Sequence, residues 1–236
     1  MRPPALVALA LVALLRACNA YEYDYEHEFW LRTDGSGTVH VTGRPALWAA
    51  FKGVGRTEDP EASVTREGLR VLFEGSGLRV RRVTLTRREG RPYLFVAADF
   101  DDVNRLAGTP AFPDLRLTLA RVGDRLRLEG EWRRPEPAPE VGSRDRDGLM
   151  AVRFHLPSRV YEHRNASAGV ERGNIVAWRQ DVARGRAGAA LPFGALMDSR
   201  SILGSTVALF AAAIGLALGL LALALWLAVR RGRRAG

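Results

Sequence analysis

Apolar and polar positions alternate with a period of two through the early part of the chain. Tyr21, Tyr23, Tyr25, His27, Phe29 and Leu31 fall on one side, and Glu22, Asp24, Glu26, Glu28 and Trp30 on the other. That period predicts a half-buried strand from Tyr21 to Arg32 with an acidic outer face. Asp34-Gly35-Ser36-Gly37 supplies the positive φ angles of a hairpin turn, and Thr38 to Thr42 returns as its second strand, with Val39 and Val41 inward. The period then changes. Pro45 opens a short helix with Leu47, Trp48, Phe51 and Val54 as its apolar stripe. A second helix is expected from Asp59 to about Glu74, capped by Asp59, started by Pro60 and burying Val64, Leu69, Leu72 and Phe73.

Strand periods resume after Gly75-Ser76-Gly77. Leu78 to Arg88 alternates but slips phase, which a bulge near Arg81-Arg82 reconciles. Tyr93 to Phe100 follows across a turn, and Asp101 can cap a single helical turn, Asp102 to Leu106. Leu115 to Arg121 and Arg125 to Arg133 alternate strictly around Val122-Gly123-Asp124 and read as another hairpin. Residues 134–148 are Pro-rich and charged, hence a solvated loop. Leu149 to Leu156 and Ile175 to Asp181 are late strands, and residues 184–201, rich in Gly, Ala and Arg, read as a tether. The fold class expected is α+β: antiparallel strands and hairpins packed with two short helices.

Both ends of the chain depart from this pattern. Arg2 followed by Ala5 to Leu15 is a charged start with a short apolar core, a signal-peptide pattern over residues 1–20. Cleavage after Cys18-Asn19-Ala20 leaves Tyr21 first; alternatively Leu15-Arg16-Ala17-Cys18 serves as a lipobox with Cys18 lipidated. Ile202 to Val229 carries no charge and is followed by four arginines within residues 230–236. As a helix it would reach about 40 Å, more than the ~30 Å hydrocarbon core of a bilayer. The expectation is a carboxy-terminal transmembrane helix over 202–229 with a basic cytoplasmic tail. An extracytoplasmic domain over 21–183 would then sit outside a bacterial cytoplasmic membrane, in single-pass topology. Gly215 and Gly219 are spaced for close helix approach.

Composition narrows the chemistry. The formal charge of +9 arises from 35 basic and 26 acidic residues. Setting aside Arg2, Arg16 and the four tail arginines leaves the domain at about +3, which excludes a nucleic-acid-binding surface. Cys18 is the only cysteine, so no intramolecular disulfide, thiol nucleophile or cysteine zinc site can form. Lys52 is the only lysine. His27 and His40 lie on paired strands and could approach each other, but a metal needs a third ligand and none is evident. Ser158 near His155 lacks the glycines of a nucleophile elbow. No catalytic residue, cofactor or metal site is assigned, and an envelope hydrolase is the weakest reading. Glu22, Asp24, Glu26 and Glu28 form the sharpest charge pattern, a partner contact unless arginines on the next strand offset it. Trp48, Phe51, Leu69, Leu72 and Phe73 either line an apolar pocket or fill the core.

Taken in order, Cys18, the strand running into Asp34-Gly35-Ser36-Gly37, the helices followed by strands, Leu156-Pro157, Asn165, Asn174 to Trp178 and the final apolar run make the chain similar to the LppM-like family of bacterial membrane-anchored proteins. The resemblance implies an α+β extracytoplasmic domain without catalysis, for which lipid or glycolipid binding at the envelope has been proposed. The leading expectation is therefore a tethered, non-enzymatic domain that binds lipid or glycolipid. The alternative is an assembly subunit of a membrane complex, acting through the acidic strand and the glycine-bearing span.

Overall fold

A computed structural model describes residues 23–56, 58–135, 148–167, 169–200 and 202–232. The amino-terminal hairpin forms as its alternation requires: β1 (Tyr25–Leu31) pairs antiparallel with β2 (Gly37–Gly43), Phe29 opposite Val39. Helix α1 (Pro45–Lys52) follows. The expected second helix is interrupted. Asp59 caps α2 (Pro60–Ser63), and Thr65 then accepts from the Gly68 amide and caps α3 (Arg66–Gly75). The long hairpin β3 (Arg79–Arg88) and β4 (Arg91–Phe100) completes this side of the domain, with its register shift between Val80 and Arg82.

Two sheets result. The first has seven strands in the order β3-β4-β2-β1-β7-β10-β9, with β7 (Leu149–His155), β9 (Val170–Glu171) and β10 (Ile175–Asp181) beyond β1. Its β1–β7 pair is parallel, Phe29 beside Phe154, and its other pairs are antiparallel. The second sheet has the order β5-β6-β11-β8, from β5 (Leu115–Val122), β6 (Arg125–Trp132), β11 (Leu191–Asp198) and β8 (Val160–His163). Helix α4 (Val182–Arg186) links β10 to β11.

One apolar core joins the sheets. Phe29 stacks on Phe154 at 4.7 Å, and Phe154 and Trp178 each meet Phe193 of β11 at 5.6 Å. Farther along, Phe51 of α1 meets Trp132 of β6 edge-on at 4.8 Å. Gly130 lies directly beneath the Phe193 ring and beside the Arg116 carbonyl, so any side chain there would collide with both. The open edge of β5 is closed by Asn104, whose side-chain amide donates to the Leu119 carbonyl and accepts from the Leu119 amide, as a strand would.

Three expectations are corrected. The α+β class gives way to a mostly β body of two packed sheets, with short helices filling the space at their margins. Residues 184–201 are not a tether alone. Leu191, Phe193, Ala195 and Met197 alternate inward, and β11 pairs with both β6 and β8. The single-pass placement with a cytoplasmic carboxy terminus is also overturned: among the described residues, no helix is long and apolar enough to cross a membrane. Helix α5 (Ile202–Gly232) does form, and its described side chains run from 209 to 223 without a break. Those side chains are exposed. The signal peptide, Cys18, Glu22, residues 136–147 of the Pro-rich loop and residues 233–236 lie outside the described residues.

Candidate functional site

The two faces of β1 carry different chemistry. On the inner face, Lys52 sits at the last turn of α1 with its ammonium fully buried. It donates to Asp114 Oδ1 at 3.0 Å and to the Ala111 carbonyl at 2.6 Å, and stands 4.7 Å over the Phe112 ring. Asp114 Oδ2 accepts from Trp132 Nε1 at 2.9 Å and from the Tyr25 hydroxyl at 3.2 Å. The Tyr25 oxygen is 3.2 Å from His27 Nε2. Because Tyr25 gives its proton to Asp114, His27 must donate through Nε2. Its buried Nδ1, which has no partner among the described residues, is then a bare lone pair. Burial, with Lys52 nearby, pushes the His27 pKa down to about 3, so the ring stays neutral. Burial alone would raise Asp114, but the Lys52 charge, with the hydrogen bonds from Lys52 and Trp132, holds it below the ordinary carboxylate range. Both oxygens of Asp114 accept hydrogen bonds, three in all, and this is an architectural pair.

The outer face of the seven-stranded sheet is a continuous row. Phe95 of β4 lies 5.0 Å from His40 of β2, His40 lies 4.3 Å from Trp30 of β1, and Trp30 stacks on His155 of β7 at 4.5 Å. Four adjacent strands thus contribute one ring each, a row of about 14 Å at ordinary strand spacing. Arg82 covers the Phe95 end at 5.1 Å. At the other end His155 Nε2 donates to Glu28 at 2.7 Å, and Arg153 reaches Glu28 at 3.4 Å and Glu26 at 3.5 Å. Arg153 and Arg179 both lie over the Tyr23 ring. The rings of Trp30 and His40 make contacts with other rings but no hydrogen bonds among the described residues, so their nitrogens are available to a ligand.

The two glutamates differ. Burial raises Glu26 to about 7, since Arg153 is near enough to attract it but one of its oxygens accepts no hydrogen bond. Burial acts on Glu28 in the same direction, but the His155 hydrogen bond and charge, with Arg153 behind them, hold it below the ordinary range.

The candidate residues now have places. Glu26 and Glu28 are offset by Arg153 from the neighbouring strand, while Asp24 accepts from Tyr93 at 2.9 Å and pairs with Arg44 at 3.2 Å. Trp48, Phe51, Leu69 and Phe73 are buried in the common core, with Leu72 packed against it. His27 and His40 point to opposite faces, because His27 stands opposite Val41 and His40 opposite Glu28. Among the described residues no group of His, Cys, Asp or Glu is placed to hold a metal ion. Ser158 is buried and gives its proton to the Asp198 carbonyl, away from His155. The row at Trp30 was not singled out from sequence. Its signal was there in Trp30, an aromatic on the polar side of the first strand.

Two outcomes follow. Lys52→Met should destabilise the protein by about 3–5 kcal/mol, because it strands a buried carboxylate. Adding Asp114→Asn should recover part of that loss, and urea unfolding of both singles and the double measures the coupling. Glu26 binds its proton more tightly folded than unfolded, so its contribution favours folding at low pH and is lost as pH rises from about 4.5 to about 7. Glu26→Gln should therefore match the parent near pH 4 and exceed it by up to ~3 kcal/mol at pH 8, read from denaturation midpoints across that range.

No family and no curated protein matches the chain. A solved structure that does is the NMR structure of the folded domain of LppM from Mycobacterium tuberculosis. It is 16% identical over 76% of this chain and 94% of that one, with a TM-score of 0.40. This is a distant likeness of fold and no more.

Proposed function

We propose that this chain is a non-enzymatic binding domain that takes a glycolipid by its sugar head group, on the outer face of the seven-stranded sheet. The observation that carries the reading is the ring row Phe95–His40–Trp30–His155, bordered by Glu28 and Arg153. Sugar rings offer apolar C–H faces and a rim of hydroxyls. Aromatic side chains pack against the first, while carboxylates, guanidiniums and ring N–H groups bond the second. A row of about 14 Å suits an oligosaccharide better than a single small molecule.

The acyl chains find less support inside the domain. The aromatic residues between α1, α3 and the sheet pack against one another, Trp48 on Phe73 at 6.1 Å and Phe51 on Tyr25 at 4.9 Å. A head-group mode fits that filled interior. The reading without catalysis is supported by the commitments of the titratable groups: Lys52 to Asp114, Ser158 to a carbonyl, His155 to Glu28. The assembly-subunit reading is disfavoured by the pairing of Glu26 and Glu28 within their own sheet.

On an array of oligosaccharides cut from envelope glycolipids, the detergent-purified chain should bind a subset. Trp30→Ala should weaken that binding by at least about tenfold, the order expected for one stacking contact and its hydrogen bond. Phe51→Leu, a core change, should leave it unaltered. No binding to any glycan, or equal binding by Trp30→Ala, would refute the proposal.

A further inference from the structure

A second surface lies at one end of the four-stranded sheet, where the chain leaves β11 for α5. Four elements meet there: the end of β5 at Val122, the start of β6 at Arg125, the end of β11 at Asp198 and the start of β8 at Val160. Register brings them together, with Val122 and Asp198 both beside Arg125, and Met197 beside Val160. Backbone bonds tie the corner, Ser199 to the Asp124 carbonyl at 3.1 Å and Asp198 to the Arg159 carbonyl at 3.2 Å.

At its centre is Tyr161, 48% exposed, with the Arg125 guanidinium 4.7 Å from its ring and that of Arg159 6.0 Å away. Its hydroxyl donates to Asp198 at 3.4 Å. Val122, 46% exposed, stands beside Arg125 in the sheet, and Arg200 follows Asp198 at the corner. Arg125, Arg159 and Arg200 have no carboxylate partner among the described residues. The acids at this corner are Asp124, Asp198 and, next to Tyr161, the exposed Glu162; Asp198 is engaged by Tyr161 and by the Arg200 amide. A few residues on, α5 begins, with Leu209, Phe210, Ile214 and Leu216 all exposed.

We infer that this corner docks on an anionic lipid surface, with Tyr161 and Val122 at head-group depth and Arg125, Arg159 and Arg200 on lipid phosphates. Three features point to lipid. Aromatic residues with a polar tip favour the interfacial zone of a bilayer. Arginines gather where anionic head groups lie within a Debye length. The adjoining helix exposes apolar side chains continuously, so the corner is the basic rim of an apolar surface. This surface is separate from the ring row and does not depend on it.

The test is amide hydrogen exchange of the full chain on vesicles of phosphatidylcholine, with and without phosphatidylglycerol. Whatever lipid contact α5 makes is common to both, so the comparison isolates head-group charge. Peptides covering 121–125 and 159–162 should be protected on the anionic vesicles only. That protection should disappear at 0.5 M salt, at about the ionic strength where the Debye length falls below 5 Å. Arg125→Gln and Arg159→Gln should each weaken vesicle affinity for this corner about fivefold, the effect of one arginine near an anionic surface. Both positions are on the surface, and an unchanged melting transition shows that the variants fold. Equal protection on both vesicle types, or none on either, overturns the inference, and so does protection that the arginine variants retain.

Discussion

The two sheets are joined by a buried ion pair. Lys52 comes from α1, Asp114 from the segment leading into the second sheet, Tyr25 and His27 from the centre of the first sheet, and Trp132 from the second. Desolvating two charges costs several kcal/mol per ion, and only a complete set of hydrogen bonds makes such a pair tolerable. Asp114 has that set. The arrangement is directional where the surrounding aromatic packing is not, because rings can slide against each other at little cost but a carboxylate with three donors has one place to sit. The pair therefore fixes how α1 and both sheets meet, and the apolar core fills in around it.

This use of the interior decides what is left for recognition. The inward side chains of β1, Tyr25, His27 and Phe29, are committed to the core. Those facing out, Glu26, Glu28 and Trp30, form a second, half-buried layer on the other face of the strand. There the charges are arranged side by side instead of being buried in one knot. Arg153 is shared by two glutamates, and the rings pass from strand to strand across the sheet. A face built this way keeps its side chains ordered without a ligand. Binding then costs little in side-chain entropy.

Local pattern carried much of the architecture and little of the site. The first hairpin, α1, the bulge in β3 and the β5–β6 hairpin follow from alternation, turn residues and capping. The parallel pairing of β1 with β7 does not, since it joins residues 125 or more apart, such as Glu28 and Arg153, and no local period encodes it. The acidic stripe looked unpaired for that reason. β11 was hidden by its small residues, with Gly194 and Ala195 giving no clear alternation. His27 and His40 seemed to approach because strand pairing was visible but their offset by one residue, which sends them to opposite faces, was not. Lys52 was visible as the single lysine, yet its partner Asp114 is 62 residues away.

The central claim is that ligand meets the open sheet face while the interior stays closed, and the indole N–H signals of the protein report on both sites at once. Trp48, Trp132 and Trp178 are buried and donate to acceptors of the domain, whereas Trp30 lies in the outer row. In a nitrogen-15 NMR titration with a bound head-group oligosaccharide, the Trp30 signal should move and the three interior signals should hold still. Movement of Trp48 or Trp132 with Trp30 unchanged would place the ligand in the core and contradict the account.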